Sequence, residues 1–335
     1  MSKKKQDVSI GIDERKNHTF YHAITNPVKE ELTKRGFKVE TYDNTDGSVK
    51  KKYDMIIFSY GTTRNKYNSN ISVLMEHGIS PLKNAPGFMA SHFFCPGEAY
   101  KFMLETVDKL DGKFYLAGYP KLDWLINNKK NREKYRQELI KELNLDPTKP
   151  IVTYLPTFVS KNPDNQTKRG TTLELKKINF DKLIPNFVIS VHGFDKGYRP
   201  VVEILNKAKH KYWEPNKEKL LLASDIIVGD ISSVLMEALV LDIPIIHIHN
   251  DDFYSYSMYN HQKKEHGCYG LLQLGDFCSI ENLPETVRKN IKHDDYKGLR
   301  KYWLERLLYK PDGQSTKRVA DLVEQVLKEE NVLNE

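Results

Sequence analysis

Short runs of β-branched and aromatic residues alternate along this chain with longer amphipathic segments, and this alternation constrains the fold more than any other feature. In the first half, Met55–Tyr60 reads MIIFSY, and His22–Arg35 has the spacing of an amphipathic helix that ends at Gly36. The other strands expected there are Val8–Ile12, Phe37–Tyr42, Val73–Glu76 and Phe114–Ala117. Strands separated by helices pair in parallel through crossover connections, so the sequence predicts a doubly wound α/β architecture.

The same pattern starts again after a very polar segment, residues 127–150, which is rich in Lys, Arg, Glu and Asn. Further strands are expected at Ile151–Leu155, Phe187–Val191, Ile226–Gly229 and Ile245–Ile248, and helices at Arg132–Leu143, Leu220–Ala223, Ser233–Leu241 and Ser315–Lys328. We therefore expect a Rossmann-like N-terminal domain at 1–127, an interdomain linker with a helix at 128–150, and a Rossmann-like C-terminal domain at 151–335 that includes the tail helix. A chain of 335 residues is long enough for two such domains with little left over.

The charge balance is mildly basic, with 52 Lys and Arg residues against 45 Asp and Glu residues and a net charge of +7. Such a surface suits an anionic partner, which could be nucleic acid, phospholipid or a nucleotide. The densest basic stretch, residues 129–141, is interleaved with Glu. This interleaving indicates a solvated helix face, and we expect no nucleic-acid partner.

The three cysteines have no CxxC spacing, which indicates reduced thiols and argues against a disulfide framework or a zinc site. The first residues, MSKKK, lack the apolar stretch of a signal peptide. No uninterrupted apolar run reaches the ~18 residues of a membrane-spanning helix. We therefore expect a cytoplasmic protein.

Polar residues directly follow several of the predicted strands. These strand-end segments are His77-Gly78, Pro156-Thr157, His192-Gly193 and Asp230–Ser233. In open α/β sheets, ligands bind beyond the carboxyl ends of the strands. The sequence therefore predicts a ligand site built from these segments.

The segment Asp230–Glu237 carries the most specific of these patterns. Ser232 or Ser233 would occupy the start of a helix, where a hydroxyl and the unpaired backbone N–H groups form an anion site. Glu237, about one turn further along, could accept hydrogen bonds from ribose hydroxyls. The alternative for Ser232 and Ser233 is an ordinary serine cap without a ligand. The alternative for Glu237 is a charged side chain on a solvated helix face.

His77 and His192 are each followed by Gly, which permits close approach of the backbone to a ligand. An imidazole can act as a base near neutral pH or, when protonated, stabilise a phosphate. The alternative for each is a hydrogen-bonded structural histidine.

Other motifs are absent or weak. Neither a P-loop pattern nor GxGxxG occurs, which argues against a P-loop and against a classical dinucleotide site. The acidic pairs Asp251-Asp252 and Asp294-Asp295 could bind a metal or could be solvated loop residues. We expect no metal site and no required cofactor.

Several short motifs together resemble the CDP-glycerol glycerophosphotransferases, which synthesise teichoic acids and capsules and have a GT-B fold. The matching segments, between about His77 and Val326, are GYPKLD at 118–123, YLPTF at 154–158, DISS at 230–233 with Glu237, and DGQS at 312–315 with Arg318. Three departures from the family pattern are an extra residue in EHGISPLK at 76–83, Gly193 in place of Pro, and Ile231 in place of an aromatic residue. The resemblance implies two Rossmann-like domains that face a central cleft.

The resemblance also implies a reaction and a set of roles. A CDP-linked alditol, such as CDP-glycerol, would donate alditol phosphate to a hydroxyl of a saccharide, polymer or lipid-linked acceptor, and CMP would leave. His77 would be the catalytic base, and His192 would be the second catalytic residue and would hold the diphosphate. The remaining donor-binding candidates are Thr157, Asp230, Ser232, Ser233, Glu237 and Arg318.

Three alternatives share much of this pattern. A GT-B glycosyltransferase would use a nucleotide sugar at the same site, and a nucleotide-sugar 2-epimerase would act without an acceptor. An inactive scaffold would bind polymer or membrane but no nucleotide. Peripheral membrane contact is a further hypothesis. Its candidate segments, for which packing in the core is the favoured alternative, are Tyr254–Tyr259, Tyr302-Trp303 and Leu307–Tyr309.

Overall fold

The computed structural model describes most of the chain. The described residues are 3–14, 22–43, 51–59, 69–75, 78–79, 90–107, 109–159, 170–178, 184–195, 197–212, 217–248 and 274–334. They form two compact units. Unit 1 contains Met1–Ile126 and Glu305–Glu335, and unit 2 contains Asn127–Leu304.

Unit 1 is built on a sheet whose six described strands are all parallel. These strands are β1 (Ser9–Asp13), β2 (Lys38–Tyr42), β3 (Met55–Phe58), β4 (Ile71–Leu74), β5 (His92–Cys95) and β6 (Lys113–Leu116). Their order across the sheet is β2-β1-β3-β4-β5-β6. The helices of the first 127 residues are α1 (His22–Lys34), α2 (Glu98–Phe102) and α3 (Asp123–Asn127). All four residues of β3 are buried, as expected for a parallel strand covered on both faces.

Unit 2 has a second parallel sheet with six described strands. These are β7 (Ile151–Tyr154), β8 (Asn186–Ile189), β9 (His210–Lys211), β10 (Ile226–Gly229), β11 (Ile245–Ile248) and β12 (Asp276–Cys278), in the order β12-β11-β10-β7-β8-β9. The described helices that follow residue 131 are α4 (Arg132–Leu143), α5 (Arg199–Leu205), α6 (Glu218–Ala223), α7 (Val234–Glu237), α8 (Leu283–Lys292), α9 (Lys297–Leu307) and α10 (Ser315–Glu329). A 3₁₀ turn, Ala238–Leu241, continues α7. The prediction of two doubly wound α/β sheets is confirmed.

Three of the described strands were not predicted from the sequence, and each omission has a physical reason. β5 reads HFFC and contains no β-branched residue, although all four of its residues are buried. β9 contains only two residues, and β12, at the sheet edge, begins with Asp276. Short edge strands bury little surface, so the apolar periodicity that marks a strand is weak in them.

The tail helix α10 belongs to unit 1, whereas we expected it in the C-terminal domain. Its apolar stripe, which includes Val319, Val323 and Val326, is fully buried, and the helix packs against α1. On the outer side, the Arg35 guanidinium on α1 pairs with Asp321 at 2.6 Å. Proximity in sequence suggested the C-terminal domain, but the buried stripe fits a surface formed by the first part of the chain.

The motif segments GYPKLD (118–123) and DGQS (312–315) meet at the start of α10. The Asp123 carboxylate accepts hydrogen bonds from the backbone N–H groups of Ser315 (3.0 Å) and Thr316 (2.7 Å), so it caps α10 from a distant position in the chain. Gly118 has φ +77°, and a Cβ there would lie 2.6 Å from the Ser315 hydroxyl and 2.8 Å from an Arg318 guanidinium nitrogen. Gly118 therefore allows both the turn and the close packing of α10.

Helix α4 belongs to unit 2 instead of forming a separate linker, and it is not solvated all round. Arg132 donates to the Asp225 carboxylate (2.8 Å) and to the Ser224 carbonyl (2.7 Å), and Arg136 binds the same carboxylate. The Asp225 oxygen that binds Arg136, Oδ2, also accepts the backbone N–H of Ile151 at 2.8 Å, at the start of β7. Two arginines of the expected solvated face thus attach α4 to the sheet.

We expect Gly118→Ala to destabilise the protein more than Gly36→Ala does. Both residues have positive φ, but a Cβ at Gly36 would meet nothing within 4 Å. Gly36→Ala should therefore cost only the backbone strain of about 1–2 kcal/mol, while Gly118→Ala adds overpacking, for a total of about 2–4 kcal/mol. Urea unfolding of the two variants measures the difference. Equal losses would show that close packing of α10 on Gly118 contributes nothing.

Candidate active site

Three neighbouring strands of unit 2 bring the predicted strand-end residues of that unit to one edge of the sheet. The order β10-β7-β8 places the carboxyl ends of these strands side by side. The Leu155 N–H donates to the Val228 carbonyl at 2.7 Å, and the Ser190 N–H donates to the Tyr154 carbonyl at 3.0 Å. The pairing thus continues past the strands to the point where the polar segments begin.

Asp230 is the anchor of this edge. Its side chain is buried, and its carboxylate accepts hydrogen bonds from the Thr157 N–H (2.8 Å), the Thr171 N–H (2.9 Å) and the Thr171 hydroxyl (3.1 Å). Burial raises the pKa of Asp230, and these donors oppose the rise. Because both carboxylate oxygens accept hydrogen bonds from protein groups, Asp230 positions the segments after β7 and β10. Its predicted contact with the donor stays a prediction.

A second buried carboxylate holds the same segment after β7. Asp195 is fully buried and accepts the Val159 N–H at 3.0 Å, two residues beyond the bond from Thr157 to Asp230. Leu155–Val159 is therefore tied by carboxylates from two other segments of unit 2. Thr157 is half-buried, and its backbone N–H donates the hydrogen bond to Asp230. The sequence did not predict this backbone contact.

Ser232 and Ser233 lie half-buried at the start of α7. Ser233 is the N-cap residue, but its hydroxyl makes no capping hydrogen bond. The alternative of an ordinary serine cap therefore does not hold for Ser233. The hydroxyl remains positioned at a helix start next to Asp230, where an anion would be favoured.

Glu237 is buried, with 3% of its surface exposed, at the end of α7. The alternative of a solvated helix charge is therefore wrong. Its predicted contact with ribose or alditol hydroxyls stays a prediction.

His192 follows β8 and is packed among aromatic rings. Its ring centroid lies 5.4 Å from that of Phe158 and 4.9 Å from that of Phe194. Burial, assisted by the positive charge of Lys217, lowers the pKa of His192 to about 4. The imidazole is therefore neutral at pH 7 in this environment, which favours a role as a neutral hydrogen-bond donor over that of a protonated phosphate ligand.

The tautomer of His192 follows from its backbone contact. The Phe194 N–H donates to Nδ1 of His192 at 3.2 Å, so Nδ1 is the acceptor nitrogen and the single proton of the neutral ring is on Nε2. In this state, Nε2 donates a hydrogen bond and has no lone pair with which to remove a proton. The arrangement suits a hydrogen-bond donor to an anion instead of a general base.

Two contributors to this edge were missed by sequence analysis. Lys217, directly before α6, binds the Ser190 hydroxyl and the Val191 carbonyl (3.4 Å) at the end of β8. His247 on β11 is buried, stacks on Phe277 at 4.7 Å, and hydrogen-bonds through Nδ1 to the Asp230 carbonyl at 3.2 Å. Burial lowers the pKa of His247 to about 4, so this histidine is a neutral support for the backbone at Asp230. A polar histidine within the apolar run IIHI at 245–248 was the sequence feature that could have indicated the contribution of His247.

Arg318 lies in unit 1, whereas the strand-end residues described above belong to unit 2. Its guanidinium donates to the Asp312 carboxylate (2.8 and 2.9 Å) and to the Ala117 carbonyl (3.2 Å), and it lies 5.3 Å from the Tyr309 ring centre. These contacts explain Arg318 as part of the packing of α10. Its predicted contact with the donor stays a prediction.

Some predicted residues cannot be placed. His77, the candidate base, lies outside the described residues, as do Asp251-Asp252 and Tyr254–Tyr259. The second acidic pair is described and forms ion pairs: Asp294 accepts from the buried Arg300 at 2.8 Å, and Asp295 lies 3.1 Å from Lys289.

We expect Asp230→Ala to reduce the free energy of unfolding by about 3 kcal/mol, because the buried N–H groups of Thr157 and Thr171 lose their acceptor. Thr171→Val keeps the backbone donor but loses the side-chain bonds to Asp230 and to the Tyr154 hydroxyl (2.6 Å), so its loss should be about 1–2 kcal/mol. The exposed Glu142→Ala is the control and should change little. Urea unfolding ranks the three variants, and a stability of Asp230→Ala equal to that of the control would refute the anchoring role.

Comparison with known proteins identifies relatives of the chain. The sequence profile described as CDP-glycerol:poly(glycerophosphate) glycerophosphotransferase matches residues 91–325. A curated relative, the teichoic acid poly(glycerol phosphate) polymerase of Staphylococcus epidermidis, is 24% identical over 285 residues, or 81% of this chain. The chain spans about a third (36%) of the length of that relative.

Solved structures show a similar fold. A variant of the wall teichoic acid polymerase TagF superposes with a TM-score of 0.65 at 16% identity, covering 98% of this chain and 90% of that one. A TagF structure soaked with CDPG has the same TM-score and coverage at 17% identity. The UDP-GlcNAc 2-epimerase of Neisseria meningitidis, bound to UDP-GlcNAc, has a TM-score of 0.58 at 15% identity and covers 96% of this chain and 99% of its own. At these identities the likeness shows the fold alone, and that fold is the expected GT-B class.

The profile match covers more than half of the chain, and it includes every predicted site residue except His77. The resemblance drawn from short motifs is thereby confirmed. This chain belongs to the CDP-glycerol:poly(glycerophosphate) glycerophosphotransferase family.

Proposed function

We propose that this chain transfers glycerol phosphate, or a related alditol phosphate, from a CDP-linked donor to a hydroxyl of a teichoic-acid-like polymer or saccharide acceptor, with release of CMP. The observation that carries the proposal is that the strand-end residues of unit 2 gather at one sheet edge, where His192, with its proton on Nε2, and the Ser232 and Ser233 hydroxyls follow neighbouring strands. Membership of the family supports the donor class.

The bond changes of the proposed reaction are those of phosphoryl transfer. The acceptor oxygen forms a bond to the phosphorus that carries glycerol, while the bond from this phosphorus to the bridging oxygen of the diphosphate breaks. CMP leaves with the electron pair of that bond. We assign removal of the acceptor proton to His77, as the family resemblance implies.

The residues of unit 2 act on the diphosphate. His192 donates its Nε2 hydrogen to a phosphate oxygen, and Ser232 and Ser233 donate their hydroxyl hydrogens. Donors fixed before the reaction stabilise developing negative charge without reorganising. Glu237 holds ribose or alditol hydroxyls. That no further cofactor is required stays a prediction.

A role in teichoic acid or capsule synthesis would bring the enzyme to lipid-linked acceptors at the cytoplasmic face of a membrane. Within the described part of the chain, no helix has the length and apolarity to cross a bilayer. Trp303, Leu307 and Leu308 are buried, in accord with core packing, while Tyr302 is 45% exposed. Peripheral contact stays a prediction, which flotation with anionic vesicles tests: protein that stays at the bottom would oppose it.

A donor panel tests the proposed reaction. With a glycerol-phosphate-primed acceptor, CDP-glycerol should yield CMP, and omission of the acceptor should abolish the product above background. A second arm replaces CDP-glycerol by UDP- and CMP-linked sugars. Turnover of a nucleotide sugar without turnover of CDP-glycerol would favour a glycosyltransferase, and turnover without any acceptor would favour an epimerase.

Substitutions of His192 test its role as a donor. His192→Gln keeps an N–H group near the position of Nε2, so it should retain activity within about tenfold of the wild type, while His192→Ala loses about 10²–10³-fold, as for other lost transition-state donors. The dependence of kcat/KM on pH, from about pH 5 to pH 9, should be the same in wild type and His192→Gln, because the His192 pKa of about 4 lies below this range.

His77→Ala is the control for the His192 variants, because it removes the proposed basic group itself. If His192→Gln is as inactive as His192→Ala and changes the acid limb of the pH profile, His192 is a base and the assigned tautomer is wrong. Thermal melting of each variant establishes that the fold survives.

A further inference from the structure

His247 on β11 is a buried histidine to which the reaction proposed above assigns no role. The ring is 3% exposed, and its Nδ1 lies 3.2 Å from the Asp230 carbonyl oxygen. Because a carbonyl oxygen only accepts hydrogen bonds, Nδ1 carries the proton of the neutral ring and Nε2 carries the lone pair. Within the described part of the chain, Nε2 has no hydrogen-bond partner. One nitrogen of the ring therefore bonds to the turn after β10, and the other is buried without a partner.

The buried Nε2 of His247 is unfavourable for the fold, so the presence of a histidine here needs a reason. A polar atom of this kind loses its hydrogen bonds with water and gains none in return. The other three residues of β11 are isoleucines, which are buried in the same strand without this cost. Residues that break the pattern of their element are expected where function requires them. The bond from Nδ1 to Asp230 is what a histidine provides here and an isoleucine does not.

This bond fixes one peptide group in the turn between β10 and α7. A peptide bond is planar, so a held Asp230 carbonyl also sets the direction of the N–H group of the next residue. The Asp230 carboxylate is held separately, by Thr157 and Thr171. Asp230 is thus fixed through both its side chain and its main chain. Ser232 and Ser233 follow within three residues, so their positions depend on how this turn is held.

The edge strand β12 orients the imidazole. Phe277 on β12 is the register partner of His247, and the two rings stack with their centroids 4.7 Å apart and their planes at 18°. Stacking restricts rotation of the imidazole about its side-chain bonds, which keeps Nδ1 directed at the Asp230 carbonyl. Phe277 is 39% exposed, so its ring can be removed with less damage to the core than removal of a buried side chain would cause.

His210 on β9 offers a matched comparison within the same unit. It is also buried, and its Nδ1 lies 3.1 Å from a carbonyl oxygen, that of Leu143 at the end of α4. His210 therefore holds the end of a helix, whereas His247 holds the residue that anchors the candidate site. Comparison of the two histidines separates the general cost of losing a buried imidazole from an effect on the site.

We propose that His247, oriented by Phe277, is a positioning residue of the donor site, which fixes the main chain at Asp230 and thereby places the Ser232 and Ser233 hydroxyls for the diphosphate. The proposal rests on the function proposed above, which assigns the diphosphate to these hydroxyls. His247 itself touches neither donor nor acceptor. Loss of its Nδ1–H group should therefore weaken the binding of phosphate groups and leave the binding of a nucleoside unchanged.

The experiment is isothermal titration calorimetry on the full chain with cytidine, inorganic pyrophosphate and CDP. The proteins are wild type, His247→Phe, His247→Asn, Phe277→Ala, His247→Phe combined with Phe277→Ala, and His210→Phe. His247→Phe keeps a buried ring and removes the donor, whereas the side-chain amide of His247→Asn can offer an N–H group at the position of Nδ1. Thermal melting shows whether each protein is folded.

His247→Phe should bind CDP and pyrophosphate about tenfold more weakly than wild type, because the serine hydroxyls are no longer held in place. Its affinity for cytidine should not change. His247→Asn should bind CDP within about threefold of wild type, since the bond to the Asp230 carbonyl is restored. His210→Phe should lose thermal stability and bind all three ligands as wild type does.

The double variant tests the part that Phe277 plays. Phe277→Ala should weaken CDP binding about threefold in wild type and should have no further effect in His247→Phe, because the stack acts only through Nδ1. Equal effects of Phe277→Ala in the two backgrounds would show that Phe277 does not act through His247.

The other outcomes separate this inference from the proposed function. CDP binding that is equal in wild type and folded His247→Phe would overturn the role of His247 and leave the CDP donor intact. Equal weakening in His247→Phe and His247→Asn, or in His247→Phe and His210→Phe, would also overturn it, because the Nδ1–H group would not be the cause. If His247→Phe does not fold, Phe277→Ala decides, and unchanged CDP affinity in it overturns the proposal.

Two further results bear on the donor. Pyrophosphate binding that depends on His247, without binding of CDP, would support the positioning role and overturn the cytidine donor. A wild type that binds neither CDP nor pyrophosphate would overturn both the positioning role and the proposed function.

Discussion

The candidate site depends on one buried carboxylate. Asp230 accepts hydrogen bonds from Thr157 and from both the backbone and the side chain of Thr171, and His247 bonds to its carbonyl. Burial of a carboxylate is costly unless donors surround it, and here the donors are the backbone groups that must be ordered to form the site. The hydrogen bonds that offset the cost of burying this carboxylate therefore also hold several chain segments in position.

This anchor determines how the polar groups of unit 2 are presented. The segment after β7 is held by Asp230 and Asp195, and Ser232 and Ser233 follow Asp230 directly. His192 is set by its own backbone contact and by two phenylalanine rings, which keep it neutral. The result is a group of fixed donors whose protonation does not change near pH 7. Such preorganisation is what phosphoryl transfer requires of a protein, because the reaction needs positioning and charge stabilisation more than covalent chemistry.

Much of the fold could be predicted from the sequence, because parallel strands buried on both faces are nearly continuous apolar runs. MIIF, IVTY, IIVG and IIHI are such runs, with Thr153 and His247 as buried polar exceptions, and each is a strand. The short edge strand β12 and the placement of α10 could not be predicted. The destination of α10 depends on which apolar surface its buried stripe fits, and Asp123, about 190 residues earlier, contributes its cap. Such pairings are set by tertiary packing and leave no local pattern.

The site was partly predictable for the same reason. Residues at strand ends could be identified because topology brings them together, and Thr157, His192 and Asp230 do gather at one edge. Their roles could not be read from spacing. Burial decides that His192 is neutral, and hydrogen-bond geometry decides that Asp230 supports the backbone. Lys217 precedes a helix in a polar segment, and only the folded chain shows that its ammonium reaches β8.

The central claim is that the edge formed by the ends of β7, β8 and β10 binds the diphosphate of a CDP donor. A crystal structure of the protein with CDP tests it most directly. The account predicts diphosphate density within hydrogen-bond distance, about 2.7–3.2 Å, of His192 Nε2 and at the Ser232-Ser233 helix start, with Asp230 still bonded to Thr157 and Thr171. Diphosphate density on unit 1 alone, or contacts of the phosphates with neither His192 nor the two serines, would contradict it.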